Sequence, residues 1–271
     1  MVDCLTLLFL TAASFGLESF ANFMELDWVS DNLGKDVLHY MLFLEREDYV
    51  EEAVCYVRPL VTRRYDSSWS MFDRHLYPGG AWRLHMLRHY LKDEVFWTGI
   101  QSYVSSHMWK TLHTSDFRKS MEKVSNIALI KFFDQWIFGK GFPKLSASFS
   151  YDLEKKSASL TLKQKQKSES RGVGLFDLDV EVAFEIASEW ITKTISMTDK
   201  SAESKLEFTC ASRPTQIVVD PNAKILFYLE FEGSDDIVRS SANSAPTVAR
   251  RIQALLMLCR KPSKPNISAL T

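Results

Sequence analysis

Three stretches of this chain combine residue types and spacings that could do chemistry. In Leu17-Glu18-Ser19-Phe20-Ala21-Asn22-Phe23-Met24-Glu25, the acid Glu18 sits in a helix-like run with Phe20, Phe23 and Met24. A carboxylate withdrawn from water must be paired, hydrogen-bonded or bound to a metal. Glu18 is therefore either such a group or an ordinary helix acid, and composition alone reads it as the latter. In Leu76-Tyr77-Pro78-Gly79-Gly80-Ala81-Trp82, two glycines at a helix entrance let the backbone approach something closely. Tyr77 then stands near the free N–H groups of a first helical turn. There a phenol can donate to a developing oxyanion, or it is a buried tyrosine with a satisfied hydroxyl. The third stretch pairs His85 with His89 at i, i+4, a spacing able to hold zinc. Between them stand Met86-Leu87-Arg88, with no glutamate to serve as base, and Arg83, Arg88 and Lys92 repel a cation. This pair reads as packing or surface.

The elements that position these residues change character near residue 141. Before it, apolar residues recur every three or four positions: Val95-Phe96, Ile100 and Tyr103-Val104, then Phe117, Met121 and Val124, then Leu129, Phe132-Phe133 and Trp136-Ile137. Thr114 or Ser115, followed by Asp116, is the expected N-cap of the second of these helices. Gly139 and Gly141, followed by Pro143, sit where a helix C-terminus favours positive φ. After Pro143 the period becomes two. The alternating runs are Leu145 to Tyr151, Ala158 to Leu162, Phe176 to Phe184 and Leu206 to Cys210, and then Ile217 to Val219 leads into an Asp220-Pro221-Asn222 turn. Short half-buried strands in this number predict an antiparallel sandwich. Lys163 to Gly174 reads as an exposed loop and Gly233 to Pro246 as a linker. Val248, Ile252, Leu255-Leu256 and Cys259 mark a last helix with little to pack on.

Composition narrows the function classes. Hydrophobic residues make up 46% and charged residues 25%, which is ordinary globular usage. A net charge of −1 gives no overall field toward nucleic acid or an anionic membrane. The four cysteines (Cys4, Cys55, Cys210, Cys259) are scattered without metal-type pairs and fit reduced thiols in a cytosol-like compartment. Leu5 to Leu10 with Ala12-Ala13-Ser14 has the outline of a signal-peptide core, but no Lys or Arg precedes it and Asp3 has the wrong sign. The expected location is cytoplasmic, with neither nucleic acid nor membrane as partner.

Leu17-Glu18-Ser19-Phe20-Ala21 resembles the segment of the M1 family of zinc aminopeptidases whose acid is the third zinc ligand. Tyr77-Pro78-Gly79-Gly80-Ala81 is similar to that family's Y-x-x-G-A, whose tyrosine stabilises the tetrahedral intermediate. The two stand 59 positions apart, about the family's spacing. Phe132-Phe133-Asp134-Gln135-Trp136-Ile137 with Gly141-Phe142-Pro143 resembles the end of its helical catalytic domain. Arg250-Arg251-Ile252-Gln253-Ala254 resembles the start of its C-terminal helical domain. The resemblance implies an α+β multidomain fold. Residues 1–142 would be the helical part of a thermolysin-like catalytic domain, 143–232 an antiparallel β-sandwich, 233–246 a linker, and 247–271 the first helix of a further helical domain. It also implies zinc as cofactor, peptides as substrates, Glu18 as metal ligand and Tyr77 as catalytic residue.

The chain departs from that family in one decisive respect. Two zinc ligands and the general base come from H-E-x-x-H, which occurs nowhere here; counted back from Glu18 it falls before Met1. The peptide-anchoring G-x-M-E-N is absent too. Catalytic zinc takes three protein ligands plus water. With one carboxylate, water keeps its solution pKa and nothing positioned removes its proton. The expectation is a truncated aminopeptidase that is inactive as this isolated chain and binds no zinc. The alternative is a non-catalytic scaffold of the same fold, which has no chemical reason to keep both Glu18 and Tyr77.

Overall fold

The computed structural model describes residues 14–110, 112–166, 172–232 and 234–260. The apolar run Leu5 to Leu10 and Cys4 lie outside them. The chain divides into two compact units, Met1–Gly34 with Leu44–Gly141 and Lys35–Phe43 with Phe142–Thr271. Helices and mixed sheets make it an α+β protein. No helix among the described residues is long and apolar enough to cross a membrane.

Helix α1 (Ser14–Leu33) and helix α2 (Lys35–Cys55) are separated by Gly34, whose φ of 90° ends the first helix. Phe20, Phe23, Leu26 and Val29 form the buried stripe of α1. Helix α3 (Pro78–Leu91) is buried on every side from Pro78 to Leu87 and forms the centre of the first unit. Helix α4 (Asp93–His107) and helix α5 (Thr114–Ser125) cross closely because Gly99 has no side chain; a Cβ there would stand 2.2 Å from Met121 Sδ. The N-cap of α5 is His113, one residue before the expected threonine, and its N–H donates to the Asp116 carboxylate at 3.0 Å. Asp116 thus acts from the third helical position rather than from beside the cap.

After α6 (Ile130–Trp136), Gly141 adopts the expected positive φ of 82°. Gly139 serves differently: a Cβ there would lie 2.3 Å from the Gln135 carbonyl oxygen. Phe117 knits the helices together edge-on, with its ring 5.4 Å from Phe20 and 5.3 Å from Tyr103. Each such fully buried ring contributes about 1.5–3 kcal/mol from area alone.

The second unit is built on two sheets. Strands β1 (Lys144–Asp152), β2 (Ser157–Gln164), β3 (Leu178–Ile186), β4 (Glu189–Met197), β5 (Glu203–Thr209), β6 (Gln216–Val219) and β7 (Tyr228–Glu232) form the orders β5-β2-β1-β7 and β4-β3-β6. Phe184 of one sheet meets Phe208 of the other edge-on at 4.8 Å.

Four expectations are corrected here. The sheets are not wholly antiparallel, because β7 runs parallel to β1. The chain enters β7 beside the start of β1, where the Tyr228 N–H donates to the Pro143 carbonyl at 3.0 Å, and an alternating pattern carries no sign of direction. The polar stretch after Lys163 begins buried: Gln164 donates to and accepts from the Phe176 backbone, and Gln166 donates to Gln164 at 2.6 Å. The expected linker contains helix α7 (Asp235–Ser244), whose inward face is Ile237, Val238, Ser241 and Ala242. Its serines and aspartates disguised that face; Asp235 and Asp236 sit at the positive helix N-terminus.

The last correction concerns helix α8 (Val248–Cys259), which has its own partners. It buries Ala249, Ala254 and Leu258 and packs on α7, and its Arg250 pairs with Asp220 at 3.3 Å. A cavity of about 30 Å³ lies in this unit, lined by Val218, Phe231, Ser241 and Gln253 among others.

Candidate functional site

Tyr77 is the N-cap residue of α3, with Pro78 at the first helical position, where a missing N–H costs nothing. The turn before it is held by its own backbone: the N–H groups of Leu76 and Tyr77 both donate to the Asp73 carbonyl, at 3.0 and 3.2 Å. The Tyr77 phenol comes near enough to the Glu18 carboxylate of α1 to feel it. Partial burial raises the phenol above its ordinary range, and the neighbouring Glu18 carboxylate pushes it the same way. The structure therefore brings together the two candidates that stand far apart in sequence.

What lets them meet is the close approach of α1 and α3. A Cβ on Gly80 would stand 1.8 Å from Ser19 Oγ, and one on Gly79 would stand 2.9 Å from the Tyr49 ring. The two glycines expected to admit a close neighbour admit these side chains. Ser19 is fully buried, and its hydroxyl donates to the Leu76 carbonyl at 2.7 Å. One residue on each side of that bond stand Glu18 and Tyr77. Asn22, one turn after Glu18, donates to Glu45 of α2 at 2.8 Å. Burial raises the Glu45 carboxyl, against the lowering effect of that bond, and the charges of Asp48 and Glu25 raise it further.

A second polar cluster stands behind the Tyr77 turn. The Asp73 carboxylate accepts from Arg58 Nε at 2.7 Å and Nη2 at 2.5 Å, from the Tyr56 hydroxyl at 2.6 Å and from the Leu76 N–H at 3.0 Å. Burial alone would raise this carboxyl. The hydrogen bonds from His75, Arg58 and Tyr56 and the Arg58 charge outweigh burial and hold it well below the usual carboxylate range. Burial, then the bond to Asp73 and its charge, push the Tyr56 phenol up. His75 Nδ1 lies 3.2 Å from Glu52 Oε2 and 3.5 Å from Asp73 Oδ2.

Among the described residues, Glu52, Asp73 and His75 are the one group of three metal-ligand types whose donor atoms converge. The cation in that cluster is the Arg58 guanidinium, bound through two nitrogens. Glu18 is not in the group. Among the described residues, none joins Glu18 in a set of three such as a catalytic zinc takes.

The histidine pair of α3 behaves as packing. His85 is buried edge-on between Trp82 at 5.5 Å and His89 at 4.5 Å, and His89 is exposed. Arg88 beside them pairs with Asp27 at 2.6 Å and Asp93 at 2.9 Å. Arg83, expected among the charges repelling a cation, turns into the core instead. There it donates to the Gly79, Trp136 and Gly141 carbonyls and to the Tyr49 hydroxyl.

Sequence reasoning passed over Ser19, Arg58, Asp73 and His75. One signal was available: Asp73 and His75 stand four and two places before Tyr77, and an acid just ahead of a helix is a common cap. Arg58 carried none, since only folding brings it to Asp73.

Residues 15–136 match the Peptidase family M1 domain. The chain is 32% identical over 91 residues to glutamyl aminopeptidase of Bos taurus, a stretch covering 34% of this chain and 10% of that protein. It is 36% identical over 80 residues to aminopeptidase A of Gloydius brevicauda, covering 30% and 8% respectively. The aligned stretches span a tenth or less of these relatives' own length. A crystal structure of Legionella pneumophila aminopeptidase A in complex with aspartic acid superposes with a TM-score of 0.74. That superposition covers 95% of this chain and 30% of the other at 15% identity, a likeness of fold.

Proposed function

Residues 15–136 belong to peptidase family M1, and from that premise we propose that they carry one wall of an aminopeptidase active site, with Glu18 as its metal-ligating acid and Tyr77 as its oxyanion donor. The observation that carries this reading is the close α1–α3 contact, where Ser19 Oγ donates to the Leu76 carbonyl at 2.7 Å and so sets Glu18 and Tyr77 beside each other. In the family, zinc supplies the Lewis acid and the activated water that cleave the first residue from a peptide. This chain's part is narrower. Glu18 offers one carboxylate, and the Tyr77 phenol, placed at a helix N-terminus, donates a hydrogen bond where negative charge develops on a carbonyl oxygen. No step through zinc follows from these residues alone, because two ligands and the base of H-E-x-x-H are not in this sequence.

The 271-residue chain by itself is therefore expected to be inactive. The strands and α7–α8 are read as the β-sandwich and the first helices of a further helical domain, and the location as cytoplasmic. A non-catalytic scaffold would leave the Tyr77–Glu18 pair without a purpose.

The test is metal content and hydrolysis of aminoacyl amides. The purified chain should hold well under one zinc per molecule and show no turnover above a Tyr77→Phe control. Joined to an upstream H-E-x-x-H segment from a relative, it should gain both. In that longer protein, Glu18→Ala should lose metal, and Tyr77→Phe should keep metal but lose kcat. One zinc per molecule in the short chain, abolished by Glu18→Ala, would overturn the reading.

A further inference from the structure

The acid cluster behind Tyr77 already has its cation, and what it grips is the turn that presents the phenol. Asp73 is the hub. Its carboxylate takes two guanidinium nitrogens of Arg58, the Tyr56 hydroxyl and the Leu76 N–H, and its carbonyl takes the N–H groups of Leu76 and Tyr77. Arg58 is itself fixed by donating to the carbonyls of Pro59, Leu60 and Met71. Its guanidinium thus ties the segment after α2 to the segment before α3. A planar fork held at this many points has little freedom to swing.

We infer that Asp73, clamped by Arg58 and Tyr56, is a positioning residue for Tyr77: it fixes the turn from Asp73 to Tyr77 so that the phenol reaches Glu18. Ser19 holds the same turn from the other side through the Leu76 carbonyl. The turn is gripped at Asp73 and Leu76, and Tyr77 is the next residue. The inference rests on reading Tyr77 and Glu18 as one site. It adds that the geometry of that site is set by residues that touch neither metal nor substrate. A charge-assisted, bidentate contact is the right kind of brace, being stronger and more directional than a neutral bond.

The test reads the Tyr77 hydroxyl directly in the full chain. Tyrosine labelled with 13C at Cζ gives one resonance per tyrosine, and Tyr77→Phe identifies its own. Glu18→Gln sets the scale for removing the carboxylate charge beside the phenol. Asp73→Asn and Arg58→Met should each move the Tyr77 resonance at least half as far, while Tyr103, buried on α4, stays in place. Arg58→Lys, which keeps the charge but loses the fork, should give a smaller shift, and Tyr56→Phe the smallest.

A folded Asp73→Asn chain with Tyr77 unmoved overturns the inference. So does a shift shared equally by Tyr103, which would mean general loosening. Should Asp73→Asn not fold, Arg58→Lys and Tyr56→Phe decide by the same criterion. If Glu18→Gln moves Tyr77 and the Asp73 and Arg58 variants do not, the brace fails and the site stands. If Glu18→Gln does not move it either, the site reading fails and takes the brace with it.

Discussion

Arg83 of the helical unit and Arg250 of the sheet unit are both buried, and they are satisfied by different means. Arg83, 3% exposed on α3, sends its hydrogen bonds to neutral oxygens: three carbonyls, among them that of Trp136 at the end of α6, and the Tyr49 hydroxyl. The last carbonyls of a helix have no partner in their own helix and carry partial negative charge, so they make a site for a cation. Arg250, 9% exposed on α8, instead meets the Asp220 carboxylate, the Asp220 carbonyl and Gln253. The helical unit surrounds the Arg83 guanidinium with neutral oxygens, one of them at a helix end, and the sheet unit meets Arg250 with an acid placed in a turn. Losing the guanidinium therefore strands neutral acceptors in the first case and a charge in the second.

That difference orders the expected losses. Arg250→Met leaves Asp220 buried without its counter-charge and should cost about 3–5 kcal/mol. Urea unfolding measures it, and Asp220→Asn in the same background should recover part of the loss. A double-variant loss equal to the sum of the two single losses would put the two residues on independent footings.

Arg83→Met strands only neutral acceptors, and the Tyr49 hydroxyl still donates to the Gly141 carbonyl at 3.3 Å without it, so the loss should be about 1–3 kcal/mol. Its loss should be the smaller of the two, and Tyr49→Phe in that background should recover little. A larger loss than in Arg250→Met would reverse the comparison.

Gly80→Ala drives a methyl into Ser19 Oγ and should cost about 1–3 kcal/mol from overpacking. Ser19→Gly should rescue it, because the nearest atom left would be the Ser19 Cα at 3.2 Å. Failure of that rescue would place the strain elsewhere than in the α1–α3 contact.

The smallest effect concerns pH. The folded Asp73 carboxyl is held below its unfolded value of about 3.9. Its contribution is therefore fully present above that value and is lost as pH falls below it. The difference in urea midpoint between the chain and Asp73→Asn should shrink between pH 7 and pH 3. A constant difference would mean that the carboxylate charge contributes nothing.

The pattern of apolar residues determined much of this protein directly. Periods of three to four marked α4, α5 and α6, because a helix buries one stripe. A period of two marked β1, β2, β3 and β5, because a strand buries alternate residues. Strand β4 escaped because it is mostly exposed, and α7 because its buried face is partly serine and alanine. Glycine at 79 and 80 announced a close approach, since only glycine leaves that room.

What approaches, however, was decided by the tertiary structure. Ser19 lies 61 residues from Gly80, and Arg58 lies 15 from Asp73. Neither pairing has a local periodicity, because these contacts are fixed by how whole elements cross. The same holds for Arg83 and Arg250. In sequence both are charged residues within a helix, and only the acceptors that folding brings to them make burial affordable.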